Sequence, residues 1–352
     1  MTDTVARQTL SGSHPVTMTT ADGEVLEIRC GSDQTVVDAA AAAGFSLPSL
    51  CHQGTCGSCR ATVTSGDYQL GSHSPEALPP DRGRDVLLCR TVPCGPITVD
   101  LPYDHGRILM GGIPTHTATI ADLRVVARET VRLDLQLDPD EDGTLGSQFD
   151  AGQFAQLEIP GRDVKRSYSL CNTGNWEGRL EFLIRLRAGG DFSSYLRDEA
   201  RVGDRLVVHG PQGAFGLHET GLNPRWFVAG GTGLGPLLSM VRRMAEWQDP
   251  QPARLLLGVN EESDVLGRAE LDEIRMLLPD FTYDISVWRP TSAWSGHVGT
   301  PLDLLRRDLP STPVLPDLYV CGPPALIDSV IEIATTHGIT EDHIFYERYL
   351  PN

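Results

Sequence analysis

Lysine is almost missing from this chain: among 29 basic residues, Lys165 is the single lysine and the rest are arginine. Positive charge as a whole is in deficit, with 47 acids and a formal net charge of −18. A surface of that sign is repelled by nucleic acid and by anionic membranes, so neither is an expected partner. It suits a docking partner with a basic patch, and it equally serves plain solubility. No run of about 18 apolar residues occurs, which excludes a membrane-spanning helix from the expectation. The stretch from Met1 to Ser13 is polar and lacks the apolar core of a secretory signal, so a cytoplasmic protein is expected. Internal repeats and low-complexity tracts are absent as well.

What is present is enough chain, 352 residues with 40% apolar composition, for two or three domains, each with its own core. The first hundred residues read as a small β-rich domain. Strands are expected at 16–20 and 25–29, joined at Asp22 and Gly23, and again at 60–64 and 97–101. Between them, Asp33 or Thr35 caps an alanine-rich helix that runs to Ala43 and stops at Gly44. Residues 72–84 read as a loop and 103–114 as a linker. From about 115 to 217 the pattern alternates at 118–127, 131–137, 154–159 and 180–186, as in an antiparallel barrel of about six strands with a short helix near 193–198. Beyond that, apolar strands at 226–229, 255–259, 282–287 and 317–320 alternate with helical stretches, one of them about 236–247. That alternation is the mark of a parallel sheet with helices on both faces.

Eight cysteines are unevenly placed. Cys51, Cys56 and Cys59 form C-x4-C-x2-C, and Cys89 follows after a long gap, which is the plant-type [2Fe–2S] ligand spacing. Each iron takes two soft thiolates, so four must converge on one small centre. Gly54, Gly57 and Ser58 are small enough to let backbone N–H groups approach sulfur. A structural zinc site is the competing reading, although it favours paired C-x2-C units. Cys94, five residues past Cys89, is an alternative fourth ligand, and Cys30 reads as an ordinary buried thiol. The segment 50–59 together with Cys89 resembles a plant-type ferredoxin domain.

Two further constellations follow. Arg166, Ser167, Tyr168 and Ser169 combine a guanidinium suited to diphosphate, an aromatic ring and a hydroxyl on one short strand. Downstream, Gly189, Gly190, Asp191, Phe192 and Ser193 enter a short helix and can form an anion nest, with Gly190 and Ser193 as the candidates. The second constellation, Gly230 to Pro236 with Gly231, Thr232, Gly233 and Gly235, lies between a strand and a helix, where glycines permit a tight turn at a phosphate. It is neither G-x-G-x-x-G nor a P-loop, because the required lysine is lacking. Cys321, Gly322, Pro323 and Pro324 end a late strand at the carboxyl edge of the sheet. Asn260, Glu261 and Glu262 end another; acids there accept ribose hydroxyls and repel a 2′-phosphate, which favours NADH over NADPH.

In this order the motifs resemble the ferredoxin–NADP reductase superfamily with an N-terminal plant-type ferredoxin domain. The resemblance covers essentially the whole chain, and stretches such as 178–198, 225–247 and 345–351 look most like the reductase components of soluble diiron monooxygenases of the methane and propane/alkene type. It implies a β-grasp [2Fe–2S] ferredoxin domain at 14–104, a six-stranded antiparallel FAD-binding β-barrel at 112–219 and an α/β parallel-sheet NAD-binding domain at 222–352. It further implies catalytic positions at Ser169, Cys321 and Glu347, an aromatic at Phe345 near the flavin, and cluster ligation by Cys51, Cys56, Cys59 and Cys89. The expected path is NADH to FAD to [2Fe–2S] to a diiron hydroxylase, with a small coupling protein in the same system. A Rieske-type aromatic-ring dioxygenase is the alternative partner. Glu-x-x-His diiron pairs do not occur on the expected helices, so the chain is not read as an oxygenase itself.

Overall fold

Alternation of apolar and polar residues folds the first segment into a curled sheet. The computed structural model describes residues 12–81, 83–140, 143–145 and 147–348. The polar start before Gly12, read from the sequence above, and the end of the expected 222–352 domain from Tyr349 onward lie outside the described residues. Two compact units are present, Met1–Ile113 and Pro114–Asn352.

In the first unit, β1 (Ser13–Thr19) and β2 (Val25–Gly31) form an antiparallel hairpin that buries Val16, Met18, Ile28 and Cys30. Helix α1 (Val36–Ala42) follows, and of the two expected caps Thr35 is the one used: its hydroxyl accepts the Asp38 N–H. With β3 (Arg60–Ser65), β4 (Asp85–Leu87) and β5 (Ile97–Asp100), the sheet order is β2-β1-β5-β3-β4, with β5 parallel to β1 in the middle. The expected linker is only partly one. Tyr103 and Ile108 are buried, and Leu109–Met110 pair with Phe45–Ser46, so the chain stays attached to this unit almost to its end. Two buried apolar anchors inside an otherwise polar stretch account for the difference.

The second unit opens with the antiparallel barrel: β6 (Thr115–Ala127), β7 (Thr130–Leu137), β8 (Phe154–Glu158), β9 (Lys165–Ser169), β10 (Arg179–Arg185) and β11 (Arg205–Gln212). Their order is β9-β8-β11-β6-β7-β10, and a bridge from Leu170 to Phe182 closes the ends. Inward residues such as Ile120, Leu133, Leu157, Phe182 and Leu206 are completely buried. The short helix α2 (Asp191–Ser194) runs on into a π-helical turn, Tyr195–Glu199, and anchors itself by Phe192 and Leu196.

A wholly parallel sheet completes the unit: β12 (Arg225–Gly230), β13 (Ala253–Val259), β14 (Phe281–Val287), β15 (His297–Val298), β16 (Asp317–Gly322) and β17 (Ile344–Arg348), in the order β15-β14-β13-β12-β16-β17. Helices α3 (Leu234–Trp247) and α4 (Arg268–Leu277) contribute to one hydrophobic core, α5 (Pro301–Asp308) and α6 (Pro324–Thr336) to another. Leu237, Leu238, Met240 and Val241 of α3 are at most 1% exposed. Burying side chains of that size contributes about 1.5–3 kcal/mol each. Among the described residues no helix is long and apolar enough to cross a membrane.

Candidate cluster loop and flavin–nicotinamide site

The cysteine loop is shaped by three left-handed residues, His52, Gly54 and Gly57, at φ 52°, 76° and 81°. These turns aim successive N–H groups at sulfur. Gln53 and Thr55 donate to Cys51 Sγ and Ser58 donates to Cys56 Sγ, each at 3.4 Å. Gly54 N–H donates to Cys89, and Cys89 N–H to Cys59. Gly54 has no room for a side chain, since a Cβ would sit 2.8 Å from Arg90 Cγ and 3.1 Å from Ser72 O.

The four thiols associate as two hydrogen-bonded pairs, Cys51 with Cys56 and Cys59 with Cys89. In each pair the accepting sulfur, Cys51 or Cys89, is stabilised as thiolate, mainly by its partner's S–H. No group of three or more His, Cys, Asp or Glu side chains among the described residues is arranged around a single ion. Two pairs are what a two-iron cluster asks for, whereas a zinc site built from four cysteines gathers all of them at one point. Backbone donors aimed at sulfur also fit the negative charge of such a cluster. Cys94 is exposed and takes no part in these pairs, while buried Cys30 donates its S–H to Gln34 O at 3.1 Å.

Strand β9 presents the flavin motif. Side chains alternate, so Arg166 and Tyr168 face one way and Ser167 and Ser169 the other. The Tyr168 ring packs on Phe192 with centroids 5.4 Å apart. Burial pushes its phenol up, opposed by the charges of Arg166 and Arg187. Arg187 was not among the expected residues; only its place just ahead of the glycine pair marks it. Its backbone N–H donates to the buried Ser193 hydroxyl at 2.9 Å, which closes the Gly190 turn. Two guanidinium groups and a small-residue turn beside an aromatic ring fit the diphosphate and ring of FAD.

The glycine turn and the late cysteine turn interlock through their backbones. A Cβ on Gly233 would lie 2.1 Å from Cys321 O, and one on Gly230 would lie 2.9 Å from Pro323 Cδ. Gly322 abuts Gly230 N, while Gly231, at φ 55°, faces open space. Gly235 approaches the Ser169 carbonyl, at 3.7 Å from its would-be Cβ. Cys321 is fully buried and pairs in register with Glu347 of β17. Ser169 Oγ donates to Glu347 Oε2 at 3.0 Å. Burial raises the Glu347 carboxyl to about 7, with the Ser169 hydrogen bond pulling the other way. Ser169, Gly235, Cys321 and Glu347 are thus assembled from four separate segments.

Phe345 and Glu261 are more committed than expected. The Phe345 ring stacks on His218 at 4.0 Å and against Tyr319 at 5.0 Å, so its aromatic surface is engaged by the protein itself. Glu261 Oε2 accepts Arg128 Nη1 at 2.8 Å. Arg128, at the tip of the β6–β7 hairpin, also forks onto Asp264 at 2.9 and 3.1 Å, and its N–H donates to Ser263 O. Glu262 accepts the backbone and hydroxyl of Thr291. Charged contacts across 133 residues of sequence leave no local pattern by which to read them.

A hydride-handling pocket joined in one chain to a ligand set for an iron–sulfur centre defines a class, the flavin- and iron–sulfur-dependent reductases. Residues 19–94 match the family model of the 2Fe-2S iron-sulfur cluster binding domain, 117–216 that of the oxidoreductase FAD-binding domain and 227–332 that of the oxidoreductase NAD-binding domain. The chain belongs to the ferredoxin-reductase family of electron-transfer components and is an NADH-, FAD- and [2Fe–2S]-dependent oxidoreductase. It is 38% identical to methane monooxygenase component C of Methylosinus trichosporium over 84% of this chain and 87% of that protein. It is 32% identical to the anthranilate 1,2-dioxygenase electron transfer component of Acinetobacter baylyi, over 96% and 98%. Among solved structures, an Amycolatopsis cytochrome P450 reductase superposes with a TM-score of 0.75 at 28% identity, covering 96% of this chain and 99% of the other.

Proposed function

We propose that this chain is the reductase component of a multicomponent hydrocarbon monooxygenase and delivers electrons from NADH to a diiron hydroxylase. The observation that carries this reading is the 38% identity to methane monooxygenase component C, against 32% to the anthranilate dioxygenase component. The dioxygenase component, aligned over 96% of this chain, favours a Rieske-type partner as the second reading.

FAD, when bound, accepts hydride and passes electrons on singly, which reconciles a two-electron donor with a one-electron cluster. Arg166, Arg187, Gly190 and Ser193 hold its diphosphate, and Tyr168 packs beside its ring. Gly231, Thr232, Gly233 and Gly235 cradle the coenzyme diphosphate at the start of α3, with Cys321, Gly322 and Pro323 as the floor of the nicotinamide pocket. Glu261, braced by Arg128, receives the adenosine ribose. Glu347, its carboxyl raised to about 7, is about half protonated near neutral pH and accepts the Ser169 hydroxyl in the 3.0 Å hydrogen bond. Cys51, Cys56, Cys59 and Cys89 carry the cluster.

Reconstitution decides between partners. The holoprotein is mixed with a purified diiron hydroxylase and its coupling protein, or with a Rieske oxygenase, and NADH consumption is compared with product formed. Tight coupling with the first alone is expected. Tight coupling with the Rieske oxygenase alone would replace the proposal by the second reading.

A further inference from the structure

Helix α3 begins at the glycine turn and then runs along the chain that leaves the flavin strand. One stripe of the helix makes these contacts. Gly235 lies against the Ser169 carbonyl, and Ser239 Oγ donates to Asn172 O at 2.6 Å. Arg242 Nη1 donates to Cys171 O at 2.8 Å and to Glu181 Oε2 at 2.9 Å, and Thr173 Oγ1 donates to Glu246 Oε1 at 2.6 Å. Positions 235, 239, 242 and 246 follow the i, i+4, i+7, i+11 spacing of a single helix face. They meet residues 169–173 of the strand's continuation. Ser239 is fully buried, and Arg242 and Glu181 are 21% and 19% exposed, so the Ser239 and Arg242 contacts are interior, whereas that of Glu246 lies at the surface. Arg132 Nη2 also donates to Glu181 at 2.8 Å, and Glu181 N–H donates to Asn172 Oδ1, which fixes the receiving side.

We propose that Ser239 and Arg242 are positioning residues for hydride transfer: by fastening α3 to Cys171 and Asn172, they set the register of the coenzyme turn on the flavin strand. The inference rests on the NADH-to-FAD reaction of the family. In that step NADH, FAD and one proton give NAD⁺ and FADH₂, with both electrons moving as hydride. Such a transfer requires reacting atoms about 3–3.5 Å apart, and a misplacement of about 1 Å can cost on the order of a hundredfold. The two cofactors are held by different domains, so something must fix that distance. Ser239 stands four residues, roughly 6 Å of helix, beyond Gly235, and Asn172 three residues beyond Ser169. The fastening point is thus close in sequence to both motifs, and neither Ser239 nor Arg242 belongs to the cofactor-binding motifs themselves.

The test uses the full-length holoprotein with Ser239→Ala, Arg242→Gln and Arg242→Lys. Stopped-flow flavin reduction, read per bound FAD, is expected to fall at least about tenfold at saturating NADH in the first two, with the NADH dissociation constant changed less than about threefold. Arg242→Lys, which keeps the positive charge that pairs with Glu181 as well as a donor, should recover part of the rate. The deuterium isotope effect with 4-deuterated NADH should rise. The long-wavelength charge-transfer absorbance of reduced enzyme with NAD⁺ should weaken, and amide exchange at residues 231–235 should quicken without coenzyme. A wild-type rate per bound flavin with an unchanged charge-transfer band in both Ser239→Ala and Arg242→Gln would overturn the proposal. Failure of the wild type itself to reduce FAD with NADH would instead overturn the reading on which it rests.

Discussion

The cysteine loop and the flavin–nicotinamide pocket solve opposite problems. The loop gathers three of the four proposed ligands within nine consecutive residues and orders them with its own backbone N–H groups. The pocket draws Ser169, Gly235, Cys321 and Glu347 from four segments and depends on how closely two backbones approach. Where chemistry depends on side-chain identity at short spacing, function is concentrated and each residue is irreplaceable. Where it depends on assembly, function is spread over packing contacts, and its loss is graded.

The sharpest way to break this contrast is Cys56→Ser. The variant is expected to lose cluster-dependent electron delivery by more than roughly a hundredfold, because a hydroxyl is a poor ligand where iron–sulfur clusters use thiolates. NADH oxidation with ferricyanide, served by the flavin, should stay within about twofold on the same reasoning. Equal loss of both activities would show that the two regions do not act separately.

Gly233→Ala comes next. Its Cβ would meet Cys321 O at 2.1 Å, so backbone must move, at a cost of about 3 kcal/mol or more. Gly231→Ala meets nothing within 4 Å and carries only the penalty of φ 55°, about 1–2 kcal/mol. Thermal denaturation and flavin-reduction rates should rank the two in that order.

Glu347→Gln probes the proton. The folded carboxyl titrates near 7 against an ordinary 4.5, so the fold binds this proton more tightly than the unfolded chain does. Its contribution is therefore fully present below about 4.5 and is lost as pH rises through about 7. Between those values the variant should gain on the wild type by up to roughly 3 kcal/mol, measured by urea denaturation. A constant difference across that window would remove the proton-holding role. Arg128→Gln should matter least: the guanidinium is 41% exposed, and freeing Glu261 should change KM for NADH by at most about fivefold, with kcat intact.

The same contrast explains what the sequence reveals. Domain order and the presence of a 2Fe-2S domain are legible because C-x4-C-x2-C, the glycine turn and the change from period-2 to strand–helix alternation are local signals. The barrel and the parallel sheet follow from that alternation. The hold of Arg128 on Glu261 and Asp264 is not legible, since the partners lie 133 and 136 residues apart. Nor is the α3 stripe, because Ser239 and Arg242 meet backbone carbonyls, which every residue has. Tyr103 and Ile108 are hidden for a milder reason, as two anchors in a stretch whose average composition is that of a linker.

An anaerobic NADH titration of the holoprotein, followed by visible absorbance and low-temperature EPR, tests the electron path most directly. FAD takes two electrons and the cluster one, so full reduction should consume about 1.5 NADH per chain, with bleached flavin and a reduced [2Fe–2S] signal. An endpoint near 1.0 NADH, with bleached flavin and no cluster signal at any potential, would contradict the assignment of Cys51, Cys56, Cys59 and Cys89 and leave a simple flavin reductase.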